Sequence, residues 1–303
     1  MKRADWHGVF PAITTPFTKG LEIDLPFVKK HVAMMIDAGC TGIVTPGSLG
    51  EGACLSLEEK AALWRACVES VGARVPIIAA VASASTSDAV KIAARAKECG
   101  CLGLMVLPPY LYKGAWRESR AHFGAIMNAT DLSCMLYNNP IAYGVDVTPE
   151  QVGELAAAHA NLHAVKESSG DVRRVTAIRS LLADRLAIFV GMDDLIVEGI
   201  AAGAVGWIAG LVNALPRESV VLFDEAKAGQ REKAEALYSW FLPLLRMDTT
   251  YDFVQLIKLV QAETGMVGVG GAAVRPPRML PEGAELERAL GVIRRCLKAR
   301  PRV

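Results

Sequence analysis

Residues 75–107 read VPIIAAVASASTSDAVKIAARAKECGCLGLMVL, and their pattern decides the fold. An apolar run at 75–81 has the length of a strand, residues 86–99 carry apolar positions at helical spacing, and a second apolar run follows at 102–107. Strands that are apolar throughout are covered on both faces. A single helix between two of them must cross over the sheet, which makes the strands parallel. The same unit repeats outward in both directions, with strand patterns at 8–14, 42–45, 133–137, 162–165, 186–190 and 204–208. Helix patterns lie between them at 24–38, 56–71, 115–128, 148–159 and 171–182, often started by a capping residue, and Ser56 and Glu59 have capping-box spacing. Eight such units close into a (β/α)₈ TIM barrel. An open doubly wound sheet is the alternative, but it would place a glycine-rich phosphate turn after the first strand, where this chain has Thr14-Thr15-Pro16-Phe17. Beyond Asn213 the strand pattern stops. Helix patterns at 216–228, 231–247, 251–264 and 285–298 form a C-terminal helical extension, with Gly- and Pro-rich joints at 265–271 and 275–281. The expected division is a catalytic barrel at 1–225 and a helical extension at 226–303.

The chain has 303 residues and is 52% hydrophobic, enough for one large core. Its 33 Lys and Arg nearly cancel 32 Asp and Glu, leaving a formal charge of +1, which argues against nucleic acid or an anionic membrane as a partner. No apolar segment reaches membrane-spanning length, so a cytoplasmic protein is expected. Seven cysteines in apolar or helical contexts fit a reducing compartment, and the close pair Cys99 and Cys101 lacks a second cluster for zinc. Buried packing is the expected role of all seven, and the five histidines show no motif spacing. No metal is expected.

In such a barrel the reactive groups stand at the C-terminal ends of the strands. Those ends read Thr45-Pro46-Gly47-Ser48-Leu49-Gly50-Glu51, Tyr137-Asn138-Asn139-Pro140, Lys166-Glu167-Ser168-Ser169-Gly170-Asp171 and Gly191-Met192-Asp193-Asp194. Lys166 follows its strand directly, so if the strand continues with alternate residues facing inward, its amine points into the barrel mouth. Desolvation there lowers a lysine pKa and gives the neutral amine that attacks a carbonyl. Taken alone, a lysine at a strand end is a surface lysine; its neighbours change that reading. Tyr137 stands at an equivalent strand end, where a phenol oriented by a second hydroxyl, with Ser48 the candidate, can move protons. The alternative makes Tyr137 a rim aromatic and Ser48 a turn residue. Gly47 and Gly50 allow close backbone approach, so amides of this loop can hold a carboxylate. Asp193 and Asp194 suit a hydroxyl or ammonium group better than a phosphate, unless they cap the run beginning at Leu195. Trp207 and Ile208 line or back the pocket.

Together GSLGE at 47–51, YNNP at 137–140 and KESSGD at 166–171 resemble the dihydrodipicolinate synthase and N-acetylneuraminate lyase superfamily. The likeness runs from Gly8 into the C-terminal helices. The resemblance implies a Schiff-base lysine at Lys166, a proton-shuttling tyrosine at Tyr137, a hydroxyl partner at Ser48, and a carboxylate held by the amides of Ser48 and Leu49. With it go substrate contacts at Gly47, Asn139, Gly191, Asp193 and Ile208. It also implies a homotetramer, a dimer of dimers, without metal or organic cofactor.

The departures narrow the substrate. Leu49 stands where many members carry a second hydroxyl, and Leu111 where the synthases carry a relay tyrosine, with Tyr110 or Tyr112 as possible substitutes. Ile141-Ala142-Tyr143-Gly144 supplies no arginine for a second carboxylate, which disfavours dihydrodipicolinate synthesis. The combination looks more like 1-pyrroline-4-hydroxy-2-carboxylate deaminase: Lys166 opens a cyclic imine at C2, Tyr137 with Ser48 moves a proton from C3, and loss of the 4-hydroxyl and of the amine leaves 2-oxoglutarate semialdehyde. The competing enzyme is an aldolase releasing pyruvate from a 4-hydroxy-2-oxo acid or sialic acid. A metabolite-binding barrel without turnover is the non-enzymatic alternative, and an amine beside a phenol argues against it.

Overall fold

A computed structural model describes all 303 residues, Met1–Val303. Eight parallel strands, β1 (Gly8–Pro11), β2 (Ile43–Thr45), β3 (Ile77–Val81), β4 (Gly103–Val106), β5 (Ser133–Asn138), β6 (Leu162–Glu167), β7 (Ala187–Val190) and β8 (Gly206–Ala209), run in the order β1-β8-β7-β6-β5-β4-β3-β2. The barrel closes between β1 and β2 through the Ala12–Val44 bridge and the Thr41 amide, which donates to the Val9 carbonyl at 2.9 Å. Around it lie α1 (Leu25–Asp37), α2 (Leu57–Val71), α3 (Thr86–Glu98), α4 (Trp116–Asn128), the short α5 (Pro140–Tyr143), α6 (Pro149–Ala158), α7 (Arg173–Leu182), α8 (Ile196–Ala201) and α9 (Pro216–Lys227). The extension holds α10 (Arg231–Leu245), α11 (Phe253–Thr264) and α12 (Gly283–Lys298). The helix pattern at 216–228 becomes α9, which packs against α10 of the extension as well as against α8 and β1, and completes the ring of helices.

Local chemistry fixes the helix starts. Ser56 and Glu59 form the expected capping box at 3.2 and 2.8 Å, Thr148 and Gln151 form a second one, and Asp24 accepts from the Phe27 amide at 3.1 Å. Burial separates into two layers. Inside the barrel, Trp6, Phe10 and Phe189 stack and meet edge-on with ring centroids 5.3–6.0 Å apart, plugging the end away from the site. Between strands and helices lies the larger aliphatic core. With this plug in place, the open volume along the axis lies at the C-terminal mouth.

Strand β6 runs on through Lys166 and Glu167, two residues past the apolar pattern. Register then sets the chemistry: Lys166 pairs with Tyr137 on β5 and Phe189 on β7. Parallel register partners point to the same face, so amine and phenol both enter the barrel mouth.

Candidate active site

A cavity of about 270 Å³ occupies the mouth, lined by residues from both the barrel and the extension. Lys166 and Tyr137 line it, as do Gly47, Ser48, Leu49, Asn139, Gly191 and Ile208. The Lys166 side chain is almost wholly buried, and its Nζ stands 4.0 Å over the centroid of the Tyr137 ring. Burial lowers its pKa, and the charges of Asp248, Tyr143 and Asp193 oppose that shift. Space for the lysine stem is supplied by Gly191, where a Cβ would lie 2.5 Å from Lys166 Cε and 1.9 Å from Ser168 Oγ.

The phenol is positioned by its own loop. Asn139 caps α5 by accepting from the Ala142 amide at 3.0 Å and donates through Nδ2 to the Tyr137 hydroxyl, also at 3.0 Å. Burial raises the Tyr137 pKa to about 12, so the group is a neutral phenol near neutrality. The sequence reading gave Ser48 to Tyr137 as its hydroxyl partner; the structure pairs Ser48 with the hydroxyl of Tyr143 instead. The Tyr143 ring meets Tyr137 edge-on at 5.8 Å between centroids, which sets Tyr143 between Ser48 and Tyr137. Of the proposed substitutes, Tyr110 lies 6.4 Å from the Tyr143 ring, and Tyr112 is exposed with its hydroxyl directed to Glu118. Tyr143 carries no motif of its own in the sequence; the Asn139-Pro140 start of the four-residue α5 is its one signal.

The Gly47–Glu51 loop presents the Ser48 and Leu49 amides without intramolecular acceptors, as a carboxylate site requires. Its turn places Glu51 in the left-handed region at φ 55°. That conformation is held from the interior: Glu51 Oε1 accepts from Lys258 Nζ of α11 at 2.5 Å and Oε2 from the Arg275 amide at 2.9 Å. Lys258 also donates to the Thr15 and Ala273 carbonyls, so all three of its protons are placed.

Asp193 departs from its expected place. Its side chain is fully buried and does not line the cavity. Instead Trp207 Nε1 donates to it at 2.9 Å, and the Gly210 and Leu211 amides at 3.1 and 2.7 Å. The carboxylate shapes the end of β8, with both oxygens turned to these three donors and away from the cavity; burial outweighs the donors and raises its pKa to about 6. Trp207 is correspondingly buried behind the site.

Five lining residues come from the extension and its joints without a motif to announce them: Asp248 and Thr249 in the turn Arg246–Thr249, Thr250 after it, Phe253 at the start of α11, and Arg278 beyond Pro276–Pro277. A carboxyl interrupting two apolar helices was the available signal for Asp248.

Known proteins resemble this chain over nearly its whole length. The model of the dihydrodipicolinate synthetase family matches residues 5–292. The 4-hydroxy-tetrahydrodipicolinate synthase of Geobacter metallireducens is 32% identical over 289 residues, 95% of this chain and 97% of the relative. Among solved structures, the 4-hydroxy-tetrahydrodipicolinate synthase of Methylacidiphilum fumariolicum SolV superposes with a TM-score of 0.90 at 29% identity, covering 97% of each chain. The dihydrodipicolinate synthase of Acinetobacter baumannii, solved with pyruvate, gives 0.87 at 27% identity over 96% and 98%. Fold, matched length and sequence identity agree: the chain belongs to the dihydrodipicolinate synthetase family and is an enzyme of that lyase superfamily.

Proposed function

We propose that this enzyme is a 1-pyrroline-4-hydroxy-2-carboxylate deaminase that works through a Schiff base at Lys166. The observation that carries the reading is the distal wall of the cavity, where the β5 loop contributes Ile141, Ala142 and Tyr143 and no cation. A synthase joining two carboxylated substrates needs a second anion site there. The one guanidinium lining the cavity, Arg278, bonds Cys54 Sγ at 3.5 Å and so stands beside the Gly47–Glu51 loop, with the first carboxylate. A volume of about 270 Å³ suits a five-carbon substrate better than a nine-carbon sugar acid.

In this mechanism the neutral Lys166 amine attacks C2 of the cyclic imine, and the C2–N bond breaks to open the ring. The substrate carboxylate rests on the Ser48 and Leu49 amides. Tyr137, linked to Tyr143 and Ser48, carries the C3 proton away while the protonated Schiff base takes up the electron pair. Loss of the 4-hydroxyl, hydrolysis of the resulting C5 imine and hydrolysis of the lysine adduct complete the cycle. The net reaction consumes one water and yields 2-oxoglutarate semialdehyde and ammonia.

No helix is long and apolar enough to cross a membrane. Assembly into a homotetramer is part of this reading, with the exposed Leu111 and Ile141 as candidate contacts, and light scattering on the purified enzyme tests it.

The deciding experiment is a time course with cis-4-hydroxy-1-pyrroline-2-carboxylate, following ammonia and semialdehyde. Ammonia release abolished in Lys166→Ala supports the reading. Pyruvate from 4-hydroxy-2-oxoglutarate, with no ammonia from the imine, replaces it by an aldolase.

A further inference from the structure

Asp248 carries the one carboxyl group that lines the cavity. It reaches the site from the turn after α10, close against the end of β8: a Cβ on Gly210 would fall 2.4 Å from Asp248 Oδ1. Lys166, Asp193 and Asp194 are its charged neighbours. Asp194, next along from Asp193, has Arg246 at 4.0 Å, whereas no cation lies within salt-bridge distance of the Asp248 carboxyl, which has the Asp193 amide as its bonding neighbour.

Two carboxyl groups side by side do not ionise together, and their surroundings decide which keeps the proton. Asp193 is served by an indole and two amides; Asp248 is not. Burial first, and the Asp193 charge second, push Asp248 well above the usual carboxylate range. A proton donor is thereby held at the cavity wall beside the lysine, on a segment that supplies no part of the lysine–tyrosine apparatus.

We infer that Asp248 is the acid that protonates the departing C4 hydroxyl; the inference rests on the deaminase reading. Once C3 has lost its proton, the adduct is an enamine. Its nitrogen pair re-forms the C2–N double bond, the C2–C3 π pair shifts to C3–C4, and the C4–O bond breaks. The oxygen takes the Asp248 proton and leaves as water. Water then takes a C5 proton, which prepares C5 to become the imine that is hydrolysed, and the carboxylate regains its proton from the solvent.

The test compares two substrates in wild type and Asp248→Asn, with Asp248→Ser in parallel: the 4-hydroxy imine and its 4-chloro analogue, whose chloride departs without a proton. Borohydride trapping of pyruvate on each variant confirms a folded site. For the hydroxy substrate ammonia release should fall about 10²- to 10⁴-fold, and for the chloro substrate it should stay within about tenfold of wild type. Equal losses on both, or no loss on either, overturn the acid role while leaving the deaminase intact. A wild-type enzyme that releases no ammonia from the hydroxy imine overturns the deaminase reading and this inference with it.

Discussion

Lys258 and Glu51, 207 residues apart in sequence, meet at 2.5 Å with side chains 3% and 0% exposed. This pair ties α11 to the loop that presents the Ser48 and Leu49 amides. Removing one partner strands a charge in the interior, so Lys258→Met should cost about 3–5 kcal/mol in chemical denaturation. Replacing both, as Lys258→Met with Glu51→Leu, should recover part of that loss. A double variant no more stable than the worse single one would show that stranded charge is not the cause.

Gly191→Ala should disable the lysine without unfolding the barrel. The added methyl must displace Ser168 Oγ or the Lys166 stem, and a shift of about 1 Å in a reacting group costs about 10²-fold in rate. Borohydride trapping with pyruvate, followed by mass spectrometry, should fall by that order while the circular dichroism spectrum is retained. Trapping at the wild-type rate would mean that the neighbours yield without moving the amine.

Tyr143→Phe keeps the ring against Tyr137 and removes the hydroxyl bonded to Ser48. Deuterium exchange at the pyruvate methyl, read by NMR, should slow about 10²- to 10⁴-fold. Adding Ser48→Ala should slow it little further, since groups acting as one unit are not additive. A loss confined to Ser48→Ala would remove Tyr143 from that unit.

Glu59 joins the α2 cap to Arg275, whose Nη2 donates to it at 2.6 Å. The Arg275 hydrogen bond lowers the Glu59 pKa from 4.5 to about 2. The unfolded chain therefore takes up this proton near pH 4.5 and the folded one only near 2. The contribution is fully present above 4.5 and lost as pH falls toward 2. Glu59→Gln, which keeps a capping amide, should cost about 1 kcal/mol at neutral pH for a partly exposed pair. The gap to wild type should close between pH 4.5 and 2; a gap unchanged at pH 2 would assign it to packing.

What could be read in the sequence was whatever repeats or sits at a strand end. Eight apolar strands with crossover helices admit few topologies, and β6 carries Lys166 to the mouth because strand alternation continues past Val165. Tyr137 followed for the same reason. Tertiary hydrogen bonding was hidden: the donors that claim Asp193 lie 14 to 18 residues further on, and Ser48 is bonded to a tyrosine 95 residues away. Asp248 and Arg278 reach the cavity through packing of the extension, which no local period encodes.

The cavity wall is divided by origin. Lys166, Tyr137, Tyr143 and Ser48, the groups assigned to making and deprotonating the adduct, all come from the βα units, while Asp248, Thr249, Phe253 and Arg278 come from beyond residue 245. On the proposed mechanism, attachment chemistry and leaving-group chemistry are thus written on separate stretches of the chain. Exchanging the second stretch between relatives offers a route to new reactions that leaves the reactive lysine and its strands untouched.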